Sequence, residues 1–128
     1  MNLLVGYGEI GKAVKKVFKD MKVYDPLTHP KKPKGVFDIL LVAIPYSDKF
    51  VEIVRHYQKE YQIESTLVFS TVPVGTCHRI DASHCPIEGK HPDLAKSIRL
   101  TDKWLGGPNK YLEKFLKQHG FKVFKVVP

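Results

Sequence analysis

Cysteine and arginine are scarce in this sequence, and it has no long apolar run. No stretch approaches the length needed to span a membrane, so no membrane partner is expected. The first residues lack the layout of a secretory signal, which favours a cytoplasmic protein. Two cysteines, Cys77 and Cys85, are too few for a disulfide framework, and we expect reduced thiols. The histidines lack the spacing of metal ligands, so no metal is expected.

Acidic residues are outnumbered by basic ones. The chain has 13 aspartates and glutamates against 21 lysines and arginines, a net charge of +8. This excess favours anionic partners such as nucleotides or phosphorylated sugars. The arginines are only Arg55, Arg79 and Arg99, and the lysines are spread along the chain. Because nucleic-acid-binding proteins cluster basic residues and contact bases through arginine, the sequence disfavours a nucleic-acid partner.

The length and the order of elements indicate one domain. Apolar runs alternate with helical patterns over 128 residues, without an internal repeat. This order predicts a single Rossmann-type α/β domain over residues 1–128, with a doubly wound, mostly parallel sheet. The predicted strands cover 3–5, 22–24, 38–44, 66–70, a short segment near 80–83, 103–106 and 121–127. The predicted helices cover 9–19, a segment around 50–61, and 109–119. A loop over 26–35 is expected in place of a helix, and an irregular polar stretch over 84–102.

The most informative segment is the G-x-G-x-x-G turn that follows the first strand, from Gly6 to Gly11. Gly6 allows a tight turn, Gly8 lets a pyrophosphate approach the backbone, and Gly11 lets the helix pack close to the strand. The N-terminus of the helix then offers N–H groups to the phosphates. Asp25 follows near the spacing expected of an acidic residue that binds a ribose hydroxyl. The turn therefore predicts a dinucleotide site.

Asp25 also bears on the choice of cofactor. Its carboxylate would repel the 2′-phosphate of NADP, so NAD is the predicted cofactor and NADP is less favoured. The nearby Lys31, Lys32 and Lys34 soften this preference, because their loop could supply compensating charge.

Two further motifs accompany the turn: Ser70-Thr71-Val72-Pro73-Val74-Gly75-Thr76, and Cys85-Pro86-Ile87-Glu88-Gly89 followed by Trp104-Leu105-Gly106-Gly107. With them the chain resembles the N-terminal NAD-binding domain of the UDP-glucose/GDP-mannose dehydrogenase family, whose Rossmann domains are similar to that of 6-phosphogluconate dehydrogenase. Those enzymes oxidise the C6 alcohol of a nucleotide sugar. The resemblance implies that Thr71 lies near the nicotinamide and organises catalytic water, and that Glu88 lies near the reacting sugar. The predicted cofactor-binding residues are Gly6, Tyr7, Gly8, Glu9, Ile10, Gly11, Asp25, Pro45 and Thr71.

Other parts of the family's machinery have no counterpart among these residues. In the family, the nucleophilic cysteine, the catalytic lysine and asparagine, and the sugar-binding domain all lie beyond this domain. One hypothesis is an NAD(H)-binding oxidoreductase, completed by a homodimer or another subunit, that acts on a nucleotide sugar or another anionic substrate. The alternative is a non-catalytic module that binds a nucleotide or a nucleotide sugar, or has a regulatory role, and keeps only the fold. His84, Cys85 and His91 lie in a segment rich in reactive groups, which is either part of a substrate site or a surface loop.

Overall fold

The computed structural model describes residues 1–87, 94–100, 102–107 and 109–126. The strands are β1 (Asn2–Val5), β2 (Met21–Tyr24), β3 (Ile39–Val42), β4 (Ser65–Val68), β5 (Ser83–His84), β6 (Lys103–Gly106) and β7 (Val123–Val126). The helices are α1 (Glu9–Phe18), α2 (Phe50–Glu60), α3 (Thr76–Arg79), α4 (Leu94–Leu100) and α5 (Lys110–Gln118). They form a seven-stranded sheet in the order β2-β1-β3-β4-β5-β6-β7. The sheet is parallel except for the β5–β6 pair, so the predicted Rossmann-like α/β fold is confirmed.

The central strands are buried on both faces, which explains why they read as continuous apolar runs. Alternate side chains enter different clusters, since successive residues of a strand point to opposite faces. Leu4 and Leu41 pack with α1 and α5 on one face of the sheet. Leu3 and Leu40 pack with α2 on the other. Among the described residues, no helix is long and apolar enough to cross a membrane.

The order in which strands are added to the sheet switches from one side of β1 to the other. It runs from β1 through α1 to β2 on one side, and then returns to β3 on the other side of β1. Adjacent connections therefore leave in opposite directions at the carboxyl ends of β1 and β3, where open α/β sheets bind ligands. The predicted loop replaces a helix between β2 and β3. The Tyr61 hydroxyl holds it by donating a 2.9 Å hydrogen bond to the Pro33 carbonyl.

The prediction of an irregular stretch over 84–102 is wrong in its second half, because α4 forms there. Leu94, Ala95 and Ile98 are buried against α1. Arg99 donates a 3.0 Å hydrogen bond to the Lys16 carbonyl near the end of that helix. Four apolar residues within a seven-residue segment are too few to reveal a helix by periodicity, and tertiary packing supplies most of its stability.

The short strand predicted near 80–83 is displaced. Residues Thr76–Arg79 form the short helix α3, Ile80 is its buried C-cap, and β5 begins only at Ser83. The β5–β6 pair is the one antiparallel pair of the described sheet, which agrees with the predicted mostly parallel sheet.

Candidate functional site

A pocket of about 830 Å³ opens at the carboxyl ends of the first four strands. Its walls are the segments that follow those strands: 6–10 after β1, 25–27 after β2, 43–46 after β3, and 70–71 after β4. The pocket brings together every predicted cofactor residue except Gly11: Gly6, Tyr7, Gly8, Glu9, Ile10, Asp25, Pro45 and Thr71. The turn motif, the acidic residue and the later loop thus share one cavity although they are far apart in the chain.

The three glycines of the turn have different surroundings. Gly6 has a φ of 95°, and a Cβ there would lie 2.6 Å from the Ala43 carbonyl oxygen at the end of β3. A Cβ on Gly11 would lie 2.8 Å from the Gly6 carbonyl carbon and closer still to its oxygen. A Cβ on Gly8 would meet no atom of the described residues within 4 Å. The fold therefore requires the first and third glycines, whereas Gly8 leaves open space at the pocket.

Asp25 connects the glycine turn to the loop after β2. Its Oδ2 accepts a 2.7 Å hydrogen bond from the Tyr7 N–H. Its Oδ1 accepts hydrogen bonds from the N–H groups of Leu27 (2.8 Å) and Thr28 (3.3 Å). A backbone bridge to His29 closes the hairpin that follows. Three N–H donors therefore fix the carboxylate at the edge of the pocket.

These contacts also set the charge of Asp25. Its partial burial on its own raises the pKa, but the hydrogen bonds from Leu27, Tyr7 and Thr28, together with the nearby His29, outweigh that effect. The resulting pKa lies below the ordinary value of 3.8, so the carboxylate is ionised at neutral pH. A fixed negative charge thus stands where a ribose is expected.

Apolar side chains that sequence reasoning missed complete the pocket. Leu27 is almost fully exposed, and Tyr46 and Ile53 are partly exposed, yet all three line the cavity. Ile53 lies on α2 within an apolar pattern that otherwise points to the core. The only sequence signal at Leu27 was its position, since it is an isolated apolar residue in a loop rich in proline and lysine. Exposed apolar groups beside a fixed carboxylate suit a ligand with a flat ring and a polar sugar.

The loop over residues 70–76 separates this pocket from a second, apolar cleft. Thr71 is exposed in the pocket, whereas Val72 and the residues after it line a cleft of about 370 Å³. The Ser70 hydroxyl donates a 2.6 Å hydrogen bond to the Ile44 carbonyl. His84 Nε2 lies 2.8 Å from the Ser70 carbonyl, and because a carbonyl can only accept, that nitrogen carries the proton. The loop is therefore anchored at its start, and His84 belongs to the cleft.

The remaining candidate groups lie elsewhere. Cys85 is fully buried, and burial raises the pKa of the Cys77 thiol to about 11, so that thiol stays protonated at neutral pH. Neither cysteine therefore has the accessible thiolate that nucleophilic catalysis needs. Glu88 and His91 lie outside the described residues. In the part of the chain that the structure describes, no cluster of three potential ligands could hold a metal ion.

Comparison with known proteins supports the fold. No family model matches the chain, and no curated protein matches its sequence. One similar solved structure is a glycerol-3-phosphate dehydrogenase from Coxiella burnetii, with a TM-score of 0.65 and 14% identity over 98% of this chain and 53% of that one. Another is a proposed oxidoreductase from Mycobacterium avium 104, with a TM-score of 0.67 and 14% identity over 99% of this chain and 55% of that one. The chain thus spans about half the length of these structures and shares their Rossmann-like fold.

Proposed function

We propose that residues 1–128 form a dinucleotide-binding domain that holds NAD(H) in the 830 Å³ pocket and serves an oxidoreductase reaction. The observation that carries this proposal is Gly8. Gly6 and Gly11 are explained by backbone packing, but nothing among the described residues occupies the space where a Gly8 side chain would lie. A glycine beside open space in the pocket is what close approach of a pyrophosphate requires.

The N-terminus of α1 supplies the phosphate-binding part of the proposed site. The first intrahelical hydrogen bond runs from the Lys12 N–H to the Gly8 carbonyl over 2.9 Å. In general, the N–H groups of the first turn of an α-helix precede its first intrahelical hydrogen bond, and the helix dipole favours negative charge at this end. The two phosphates of a dinucleotide match this donor set.

Asp25 supports the choice of NAD over NADP. The ionised carboxylate would accept a hydrogen bond from a ribose hydroxyl and would repel a 2′-phosphate. Leu27 and Ile53 offer apolar contacts to the adenine beside that ribose. The glycine turn would hold the phosphates, which directs the nicotinamide toward Pro45 and Thr71.

The proposal for the substrate rests on the loop over residues 70–76 and on the family resemblance that its sequence supports. We infer that Thr71 contacts the nicotinamide, that Glu88 serves the reacting substrate, and that the substrate is a nucleotide sugar or a related anion. The similar structures include a glycerol-3-phosphate dehydrogenase, whose substrate is also an anion. A further subunit or a second copy of the chain would complete the substrate site. The two free thiols favour a location in the reducing cytoplasm.

A non-catalytic nucleotide-binding module is the second candidate. It is favoured by the thiols, since Cys85 is buried and Cys77 has a raised pKa. Such a module would bind the dinucleotide and reduce or oxidise nothing.

Titration calorimetry with NAD, NADH and NADP tests the proposal. We expect micromolar binding of NAD(H) and weaker binding of NADP. Gly8→Ala should weaken binding at least about tenfold, because its Cβ enters the pocket. Gly106→Ala, titrated at protein concentrations that keep the chain monomeric, is the matched control: its Cβ would meet only ordinary contacts, the nearest 3.6 Å from the His84 carbonyl oxygen, and it lies outside the pocket.

Three results would decide the matter. Absence of binding by all three dinucleotides would refute the dinucleotide site. Equal affinity of Gly8→Ala and the natural protein would refute the assigned role of Gly8. Tight binding without hydride transfer from any nucleotide-sugar or sugar-phosphate substrate to NAD would favour the non-catalytic module.

A further inference from the structure

Helix α5 covers β6 and β7 on one face of the sheet only. Leu105 and Val123 pack with that helix. Trp104 and Phe124 project from the opposite face, because successive residues of a strand alternate between the faces of a sheet. Their side chains are 47% and 36% exposed, and Val126 beside them is 43% exposed. Three large apolar residues on one uncovered face exceed the scattered exposure that is usual for a surface.

Trp104 and Phe124 form an aromatic ridge on this face. They lie opposite each other in the β6–β7 register, and their rings stack with centroids 5.0 Å apart and an interplanar angle of 26°. Stacking fixes both side chains in one arrangement, so little rotamer entropy remains to be lost when a partner covers them. Rigid aromatic groups of this kind contribute much of the binding energy of protein interfaces.

The apolar cleft of about 370 Å³ lies beside the ridge on the same face. Gly106 and Val126, two residues along from Trp104 and Phe124, form one of its walls. Val74, which is fully exposed, lies on another. The fold tolerates a side chain at Gly106, so the glycine serves to leave the cleft open toward the ridge.

The ridge and the cleft carry charges of opposite sign. Lys122 Nζ lies 5.8 Å from the centre of the Phe124 ring, at the ridge. Asp81 is exposed and lines the cleft. The aromatic ridge with Lys122 on one surface would therefore complement the apolar cleft with Asp81 on another.

We propose that this face binds a second copy of the chain about a two-fold axis, so that the ridge of each copy enters the cleft of the other. Because both features lie on one face, a two-fold axis satisfies both contacts at once and closes the assembly. Lys122 of each copy then faces Asp81 of the other.

Surface area and the chemistry of the sheet edge agree with this arrangement. The chain exposes 7802 Å², whereas a folded monomer of this mass exposes roughly 6900 Å². The excess belongs to the surface of the whole chain, and it is large enough to supply the roughly 800 Å² that each partner buries in a standard interface. Pairing through the edge of β7 is opposed by Lys122 and Lys125, since lysines on an edge strand discourage further strands.

Trp104 is the only tryptophan of the chain, so its fluorescence reports directly on this face. Sedimentation equilibrium over a range of protein concentrations should show the mass doubling. The tryptophan emission should shift to shorter wavelength over the same range, as Trp104 leaves water. A mass that stays monomeric with unshifted emission would overturn the proposal.

Two sets of variants identify the interface. Trp104→Arg should raise the dimer dissociation constant roughly thirtyfold or more. Tyr111→Arg is the matched control, since Tyr111 is also 47% exposed but lies on α5. Equal dissociation constants for these two variants would place the interface elsewhere.

The charge pair gives a test with a change of sign. Asp81→Asn should weaken the dimer in the natural background, because Lys122 loses its partner. The same substitution should strengthen the dimer in a Lys122→Glu background, because it removes a repulsion between two carboxylates. An effect of the same sign in both backgrounds would refute the proposed pairing.

Discussion

Gly11→Ala is the substitution whose effect the structure fixes most directly. The new Cβ would lie 2.8 Å from the carbonyl carbon of Gly6 and nearer to its oxygen, inside the 3.0 Å limit that real Cβ atoms respect. The atoms it meets are backbone, so no side chain can rotate away. Helix α1 would have to move off β1, and its buried contacts through Val14 and Phe18 would loosen.

Two opposing terms set the size of the effect. Forcing an extra methyl into a packed site costs about 1–3 kcal/mol, and a backbone clash belongs at the upper end. Alanine gains about 1 kcal/mol over glycine in a helix. The net loss of unfolding free energy is therefore about 2 kcal/mol, which lowers the Tm of a domain of this size by roughly 8 °C.

Thermal and urea unfolding followed by circular dichroism would measure this change. Gly8→Ala provides the comparison, because its Cβ would meet no described atom and only the N-cap preference changes, within about 1 kcal/mol. Gly11→Ala should thus lose stability, and Gly8→Ala should lose dinucleotide affinity with little loss of stability. A Gly11→Ala variant as stable as the natural protein would refute the packing argument.

Three further outcomes are expected. The pKa of Asp25 is lower in the folded protein than in the unfolded chain, so its contribution to stability is complete above the unfolded pKa and is lost as the pH falls through the folded pKa. The difference in stability between the natural protein and Asp25→Asn should therefore shrink below about pH 4, as measured by thermal melts. Asn109 Oδ1 accepts hydrogen bonds from two N–H groups at the start of α5, so Asn109→Ala should cost about 1 kcal/mol in urea unfolding, and no change would contradict its capping role. A thiol reagent at pH 8 should label Cys77 and Cys85 slowly in the native protein and rapidly in denaturant, and fast native labelling would contradict the burial of Cys85 or the raised pKa of Cys77.

The first half of the fold could be predicted because its signals are local. The strand, the glycine turn, the helix and Asp25 follow one another within the first 25 residues, and each has a short-range cause in backbone sterics or apolar spacing. Helix α4 could not be predicted in this way, since its few apolar residues are stabilised by contact with α1, which is distant in the chain. The antiparallel direction of β6 is likewise a property of the assembled sheet.

The candidate site divides along the same line. The sequence could predict which glycine and polar residues lie together at the pocket, because the turn motif defines them by residue type and spacing. The apolar wall from Leu27 and Ile53 was not, because an apolar residue in a sequence carries no sign of whether it faces the core or a cavity. The hydrogen bond from Tyr7 to Asp25 was also hidden, since it joins two loops that meet only when the sheet forms.

The loop over residues 70–76 is a wall common to the pocket and the cleft. Any ligand or partner that displaces this wall changes the free energy of binding at the other cavity. Thermodynamic linkage makes such an influence reciprocal: if a dinucleotide tightens the association of two copies by some factor, association tightens dinucleotide binding by the same factor. Dinucleotide affinity would then depend on protein concentration, so a single measured constant would describe only the concentration at which it was obtained.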